Sequence, residues 1–288
     1  VASIQEAAAF GHQEARSARM KIAFAGKGGA GKTSLAAWLG DYLARNGENV
    51  WLVDADTALS LGQASGLNPA QLPTPLAERE DIIRKYIGQG YMSLNPEVSG
   101  LPEALSVPLP LGGPAFAGRI AGDKQLLVMG TVAGASSGCA CAANALLKSV
   151  LAHLILEERA WVLVDMEAGV EHLGRGTVAD VDALVVVSEP SLRSLGTAAE
   201  VARLAGGLGL ARQVLALNRS EGAAALPDIP GLPEQVLRLP VLQGLRQRQL
   251  SSGSVLGLPE DREVNALCAE LLDMLGAPAP IGALKASA

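Results

Sequence analysis

The chain has 288 residues, 49% of them apolar and 18% charged, with a formal net charge of −6. That length supports one large α/β domain or two small ones with a substantial core, and the acidic balance without a basic stripe excludes nucleic acid as the main partner. No uninterrupted apolar run approaches the roughly 20 residues needed to cross a bilayer, which argues against a stable membrane anchor.

Residues 1–19 carry mixed charges and no apolar core of a secretory signal, so they read as an extension ahead of a functional start near Met20. Met20 to Ala25 is a short apolar run ending in glycine and predicts the first strand. Lys32 to Arg45 then places Leu35, Leu39 and Leu43 at helical spacing. Asn49 to Val53 predicts a second strand that ends at Asp54, completing a strand–loop–helix–strand unit. From Ser65 to Gly122, frequent Pro and Gly predict an irregular insertion with short helices and a hairpin, not a separate domain. Strands follow at Lys124–Met129, Trp161–Val164, Val181–Val187 and Gln213–Leu217, with helices at Asn144–Glu158, Ser194–Leu208 and Glu260–Leu275. This alternation predicts one doubly wound, mostly parallel sheet flanked by helices, with ligands beyond the carboxyl ends of the strands. Residues 20–276 form one unit in this reading, with a tail over 277–288.

The strongest signal is Gly26-Lys27-Gly28-Gly29-Ala30-Gly31-Lys32-Thr33, followed by Ser34. It satisfies G-x-x-x-x-G-K-S/T with a strand before it and a helix after it, the context that a phosphate-binding loop requires. Glycines let successive backbone N–H groups face phosphates, and the helix N-terminus adds positive potential. Lys32 is the candidate for the β- and γ-phosphates, and the Thr33 hydroxyl for Mg²⁺. Asp54 and Asp56 follow the second strand, Asp165 ends the run W-V-L-V-D, and Asn218 follows a strand as an amide able to donate and accept at a purine edge.

The lysine in second place, Lys27, makes this loop resemble the deviant Walker A loop of the SIMIBI class of P-loop ATPases, which includes MinD, the ParA partition proteins and the nitrogenase iron protein. The resemblance implies ATP hydrolysis by a homodimer in which Lys27 reaches the partner's phosphates, stabilising charge as an arginine finger does. It implies that Asp56 orients or deprotonates the attacking water and meets Mg²⁺ through water, that Asp165 holds a Mg²⁺-bound water, that Gly169 senses the γ-phosphate, and that Asn218 contacts the base. Two positions depart from the family pattern: Thr57 replaces the usual proline, and Ser60 stands where related maturation ATPases often carry Asn.

Cys139 and Cys141 form a C-x-C pair, and Cys268 stands alone. Three cysteines make no disulfide framework and fit a reducing cytosol with a thiolate metal site. G-C-A-C-A-A-N-A-L-L together with V-D-M-E-A-G-V-E-H-L-G-R-G resembles the CooC family of ATPases, which mature nickel-containing carbon monoxide dehydrogenase. The client implied is that enzyme or the related acetyl-CoA synthase. Two thiolates one residue apart cannot complete a tetrahedral site; a two-fold axis supplies a second pair, for Zn²⁺ or Ni²⁺. Glu171 and His172 then either add metal or partner contacts or couple nucleotide state to a docking surface, His153 lies on a helix face and Cys268 in the core of the closing helix. Two rival readings stay open: a positioning ATPase like MinD or ParA, and an electron donor like the iron protein, whose cluster draws on widely spaced cysteines rather than C-x-C.

Overall fold

A computed structural model of the chain describes residues 19–87, 100–130, 160–167, 181–220, 222 and 225–280. The helix expected at Asn144–Glu158, and Cys139, Cys141, His153, Gly169, Glu171 and His172, lie outside the described residues.

Strands β1 (Lys21–Gly26), β2 (Val50–Ala55), β3 (Val107–Pro108), β4 (Lys124–Val128), β5 (Trp161–Met166), β6 (Ala183–Ser188), β7 (Gln213–Leu217) and β8 (Val236–Arg238) form one sheet. Their order is β3-β4-β2-β5-β1-β6-β7-β8. Every neighbouring pair runs parallel except β3 with β4. The inner strands are buried along their length and read as continuous apolar runs, the pattern of a parallel sheet covered on both faces.

Helix α1 (Lys32–Arg45) occupies the expected bounds. It packs with α2 (Leu61–Ala64) and with the closing helix (Asp261–Met274) on one face of the sheet. Short helices α3 (Glu80–Ile87) and α4 (Leu101–Leu105) fall in the irregular insertion, as do two single 3₁₀ turns, Pro69–Gln71 and Leu76–Glu78. Helix α5 (Leu192–Gly207) covers the opposite face over β1 and β6. Its Ser191 cap accepts a hydrogen bond from the Ser194 N–H, which satisfies one of the orphan donors of the first turn. Helix α6 (Gln243–Arg248) and the closing helix α7 (Asp261–Met274) complete the chain. Cys268 is fully buried on α7, as expected.

Three differences from the sequence reading matter. Strands β2 and β5 run past their carboxylates, so Asp54 and Asp165 lie within the ladder rather than after it. The two residues are direct cross-strand neighbours, and the Asp54 carbonyl still accepts from the Met129 N–H at 2.8 Å. The expected hairpin is instead a two-residue strand, β3, returning antiparallel to β4 across an irregular connection. Finally, β8 and α6 were not expected.

The period-two alternation of strands fixes where the polar ends point. Leu52, Leu163 and Ala216 face the core cluster under α1. Two residues on, Asp54, Asp165 and Asn218 therefore emerge on that same face at the carboxyl edge, where the Gly26–Thr33 loop turns into α1.

Candidate functional site

The glycine loop ends at Gly31, whose φ of 106° lies in the left-handed region and which caps α1 without a side-chain partner. No acidic residue occupies the first turn of α1. The positive end of a 14-residue helix thus opens without a neutralising group of its own. A Cβ on Gly31 would collide with the Asn218 amide. That close approach carries a bond: Asn218 Nδ2 donates to the Ala30 carbonyl at 2.7 Å, while Asn218 Oδ1 accepts from the Arg219 N–H at 2.9 Å. Asn218 thereby braces the loop, and Arg219 takes a left-handed φ of 55° to do so.

Four of the singled-out side chains meet at the floor of this loop. Lys32 is buried and pairs with Asp56 at 3.1 Å. The Thr33 hydroxyl donates to Asp165 Oδ2 at 2.6 Å and lies 3.4 Å from the Ser60 hydroxyl. Burial pushes the Asp165 carboxyl up to about 6, with the Thr33 hydroxyl opposing it. Asp165 Oδ1 is buried and has no hydrogen-bond partner among the described residues. Burial also raises Asp56, but the Ala58 N–H and then the Lys32 ammonium outweigh it and hold the carboxyl below the usual range. Asp56 is therefore an ionised acceptor. Asp54 does a different job: its oxygens accept from the Leu61 N–H at 2.9 Å and the Asp56 N–H at 3.3 Å, tying down the turn that carries Asp56. Burial pushes Asp54 up to about 7, against the pull of the Leu61 N–H. Thr57 donates to Glu167 at 3.1 Å, linking the loops after β2 and β5.

Lys32, Thr33 and Asp56 open into a cavity of about 770 Å³ that Gly28, Gly29 and Ser34 border on the same side. Lys27 is exposed and does not border that cavity. The far side, formed by Trp38, the Leu239–Leu242 segment and α6, is absent from the sequence reading. Its only trace there is the short run L-R-L-P-V-L, interrupted by Pro240 and followed by a weakly periodic Q-G-L-R-Q-R-Q. Gly26 and Lys27 complete the loop, whereas Gly169 and the Cys139–Cys141 pair fall outside the described residues. Among the described residues, no group of three or more His, Cys, Asp or Glu is placed to hold a metal ion, and no helix is long and apolar enough to cross a membrane.

Residues 21–252 match the family model of the CobQ/CobB/MinD/ParA nucleotide-binding domain. The chain belongs to that family. It is 40% identical, over 198 residues, to the carbon monoxide dehydrogenase accessory protein CooC of Rhodospirillum rubrum; the match spans 66% of this chain and 71% of that protein. It is 37% identical over 218 residues to an uncharacterized ATP-binding protein of Methanocaldococcus jannaschii, spanning 73% of this chain and 79% of the relative. Among solved structures, the MinC:MinD cell division complex of Aquifex aeolicus superposes with a TM-score of 0.62 at 19% identity, over 88% of this chain and 96% of that one. MinD of Pyrococcus horikoshii, solved with Mg-ADP, gives 0.59 at 19% identity, over 90% and 97%. These two likenesses establish the fold: a doubly wound P-loop architecture with a mostly parallel sheet.

Proposed function

We propose that this protein is a cytoplasmic ATPase that assists nickel insertion into carbon monoxide dehydrogenase, or the related acetyl-CoA synthase, as a nucleotide-closed homodimer. The observation that carries the ATPase part is the meeting of Lys32 with Asp56 and of Thr33 with Asp165 at the glycine loop, beside an open helix N-terminus. The similarity to CooC over two thirds of the chain supports the accessory role. Residues 20–276 are the ATPase unit in this reading, flanked by 1–19 and 277–288.

The groups present fit a magnesium nucleotide. Asp165 Oδ1 is a buried carboxylate oxygen with no partner among the described residues, and Thr33 offers its hydroxyl oxygen beside it; such a donor set of hard oxygens suits Mg²⁺. Thr33 would hold the ion directly, with Asp56 and Asp165 holding it through water; when bound, it neutralises charge on the phosphates. Backbone N–H groups from Gly28 to Ser34 receive the phosphate oxygens, Lys32 leaves Asp56 for the β- and γ-phosphates, and Asn218 keeps the loop in its receiving shape. Once Lys32 has moved, Asp56 faces the water that attacks the γ-phosphorus and accepts its proton as the β,γ-bridging P–O bond breaks. Gly169 reports the loss of the γ-phosphate. Lys27, exposed at the loop's rim, serves the partner subunit's phosphates. Cys139 and Cys141 from two subunits supply four thiolates for Zn²⁺ or Ni²⁺.

Size-exclusion chromatography with elemental analysis tests this, run without nucleotide, with ADP and with a non-hydrolysable ATP analogue. Dimer is expected with the analogue, with metal lost on joint Cys139→Ser and Cys141→Ser substitution. Lys27→Ala should lower hydrolysis by about 10³-fold, the scale of a cation supplied in trans. Full-rate hydrolysis by a monomeric Lys27→Ala protein sinks the dimer mechanism. Unchanged metal content and client activation in the cysteine variant sinks the metal role.

A further inference from the structure

Strands β2 and β5 bring Asp56 and Asp165 to the phosphate loop, and the ladder between them closes at the pair Ala55–Met166. Beyond that pair each chain turns on its own. The turn after β2 carries Asp56, the group assigned above to the attacking water. Within the turn, the Ala58 N–H donates to Asp56 Oδ1 at 3.0 Å and the Leu59 N–H to the Asp56 carbonyl at 3.3 Å. Lys32 adds an ion pair at 3.1 Å, but this cation departs when phosphates arrive. The turn is also strained. Leu59, a bulky residue packed against the core under α1, holds a left-handed φ of 47°, a region that branched side chains rarely enter. A strained turn that gives up its charge partner during turnover needs a tie that stays. Among the described residues, the one direct side-chain bond from this turn to the end of β5 runs from the Thr57 hydroxyl to Glu167 Oε2, at 3.1 Å. Thr57 directly follows Asp56, and Glu167 lies two residues past Asp165. The same hydroxyl sits 3.5 Å from Asp56 Oδ1. Neither Thr57 nor Glu167 borders the cavity, so the pair reaches the reaction only through its neighbours.

We propose that Thr57 and Glu167 are positioning residues for hydrolysis. Their bond latches the turn that carries Asp56 to the strand that carries Asp165, so that Asp56 keeps its aim after Lys32 has gone to the phosphates. Two properties set such a latch apart from an ordinary structural contact. Thr57 is exposed and Glu167 half-buried, so removing the bond opens no cavity and leaves stability nearly unchanged. The phosphates are gripped by the glycine loop and Lys32, so nucleotide affinity also stays. What changes is the placing of the base relative to the bond that breaks, and a small misplacement there slows the chemical step without loosening the ligand. This inference rests on the ATPase reading of the preceding section and adds to it the means by which two separate turns act as one.

The test separates turnover from binding. Full-length wild type, Thr57→Val, Thr57→Ser, Glu167→Ala, Glu167→Gln and the double variant Thr57→Val, Glu167→Ala are compared in steady-state hydrolysis of Mg-ATP. Each is also titrated calorimetrically with Mg-ADP, and its folding is checked by thermal melting. Thr57→Val removes the hydroxyl and keeps the branching. It should lower kcat by about fivefold, one hydrogen bond's worth, with KM, Mg-ADP affinity and melting midpoint held. Glu167→Ala should do the same. The double variant should lose no more than either single one, because each removes the same bond. Thr57→Ser keeps a donor and Glu167→Gln an acceptor, so both should retain most of the rate. Glu167→Gln also strips the charge, which separates the bond from the field of the carboxylate. An unchanged or raised kcat in Thr57→Val overturns the proposal. So do losses that multiply in the double variant, or a fall in Mg-ADP affinity as large as the fall in kcat. A wild type that hydrolyses no ATP ends the ATPase reading itself, and this one with it.

Discussion

Gly31 is where the phosphate loop, the first turn of α1 and the end of β7 touch. Its backbone is left-handed, and the Asn218 amide occupies the space a side chain would need. Gly31→Ala therefore meets two costs: about 1 kcal/mol for the left-handed backbone and about 1 kcal/mol for a displaced Asn218–Ala30 hydrogen bond. We expect a loss of about 2 kcal/mol in denaturant melts and a fall of at least about hundredfold in ADP affinity, because the N–H groups of the loop lose their common aim. Near-wild-type binding by this variant would mean that Asn218 does not brace the loop. The loop residues are legible from sequence because their spacing is itself the geometry: glycines, Lys32 and Thr33 are bonded neighbours whose roles depend on a few dihedral angles. Asp165 is legible because a charge closing an apolar run marks the carboxyl end of a buried strand, although β5 continues one residue beyond it. Asn218 is legible in position, whereas its bond to the loop is not. Its contact with Ala30 spans 188 positions and exists only because β7 and β1 share β6 as a neighbour.

Between elements, α1 is fastened to α7 and to the connection before β4 by buried charge. Asp41 accepts from Lys124 Nζ and from the Gly112 N–H, each at 2.8 Å. Arg45 spans the gap to Asp261 with two bonds of 2.7 and 3.0 Å and lies 4.5 Å above the ring of Phe116. The Arg45 guanidinium, against some burial, holds the Asp261 carboxyl below the usual carboxylate range. In acid the unfolded chain then binds the proton more readily than the folded one, so this stabilisation is present above about pH 4 and disappears as pH falls through the lowered value. The Asp261 side chain is 37% exposed, so solvent screening limits the effect to about 1 kcal/mol. Asp261→Asn should be less stable than wild type by that amount at pH 7, and the two melting curves should converge below about pH 3. A gap that persists undiminished in acid would assign the loss to packing instead. At this scale the sequence reads α1 well, because Leu35, Leu39 and Leu43 repeat along one buried face. It fails at β8 and α6. Three residues carry no period, and a six-residue helix held by Glu260 and Arg248 has its stability written elsewhere in the chain.

Taken whole, the molecule is a mostly parallel sheet with its polar chemistry gathered at the carboxyl ends of the strands. A ligand that binds only the folded form at a hundred times its Kd adds about 2.7 kcal/mol, which for a chain of this size moves the melting midpoint by about 5–10 °C. We expect Mg-ADP to do this, measured by thermal shift. Lys32→Ala should reduce the shift to under about 2 °C, roughly the effect of a ligand barely above its Kd. An undiminished shift would place the phosphates elsewhere. The doubly wound sheet and its polar rim were foreseeable from strands alternating with helices, as was an irregular insertion with short helices between β2 and β4; the strand order, and the burial of single leucines such as Leu76 and Leu101 from that insertion, were not.

The two outermost strands of the sheet have a consequence for self-association. On one margin β3 offers two residues, one of them Pro108 with no N–H to give; on the other, β8 offers three. Neither margin, among the described residues, is long enough to template a further strand. Among the described residues, then, neither margin gives a second copy a strand of useful length to pair with, and joining of sheets into a ribbon finds no template there.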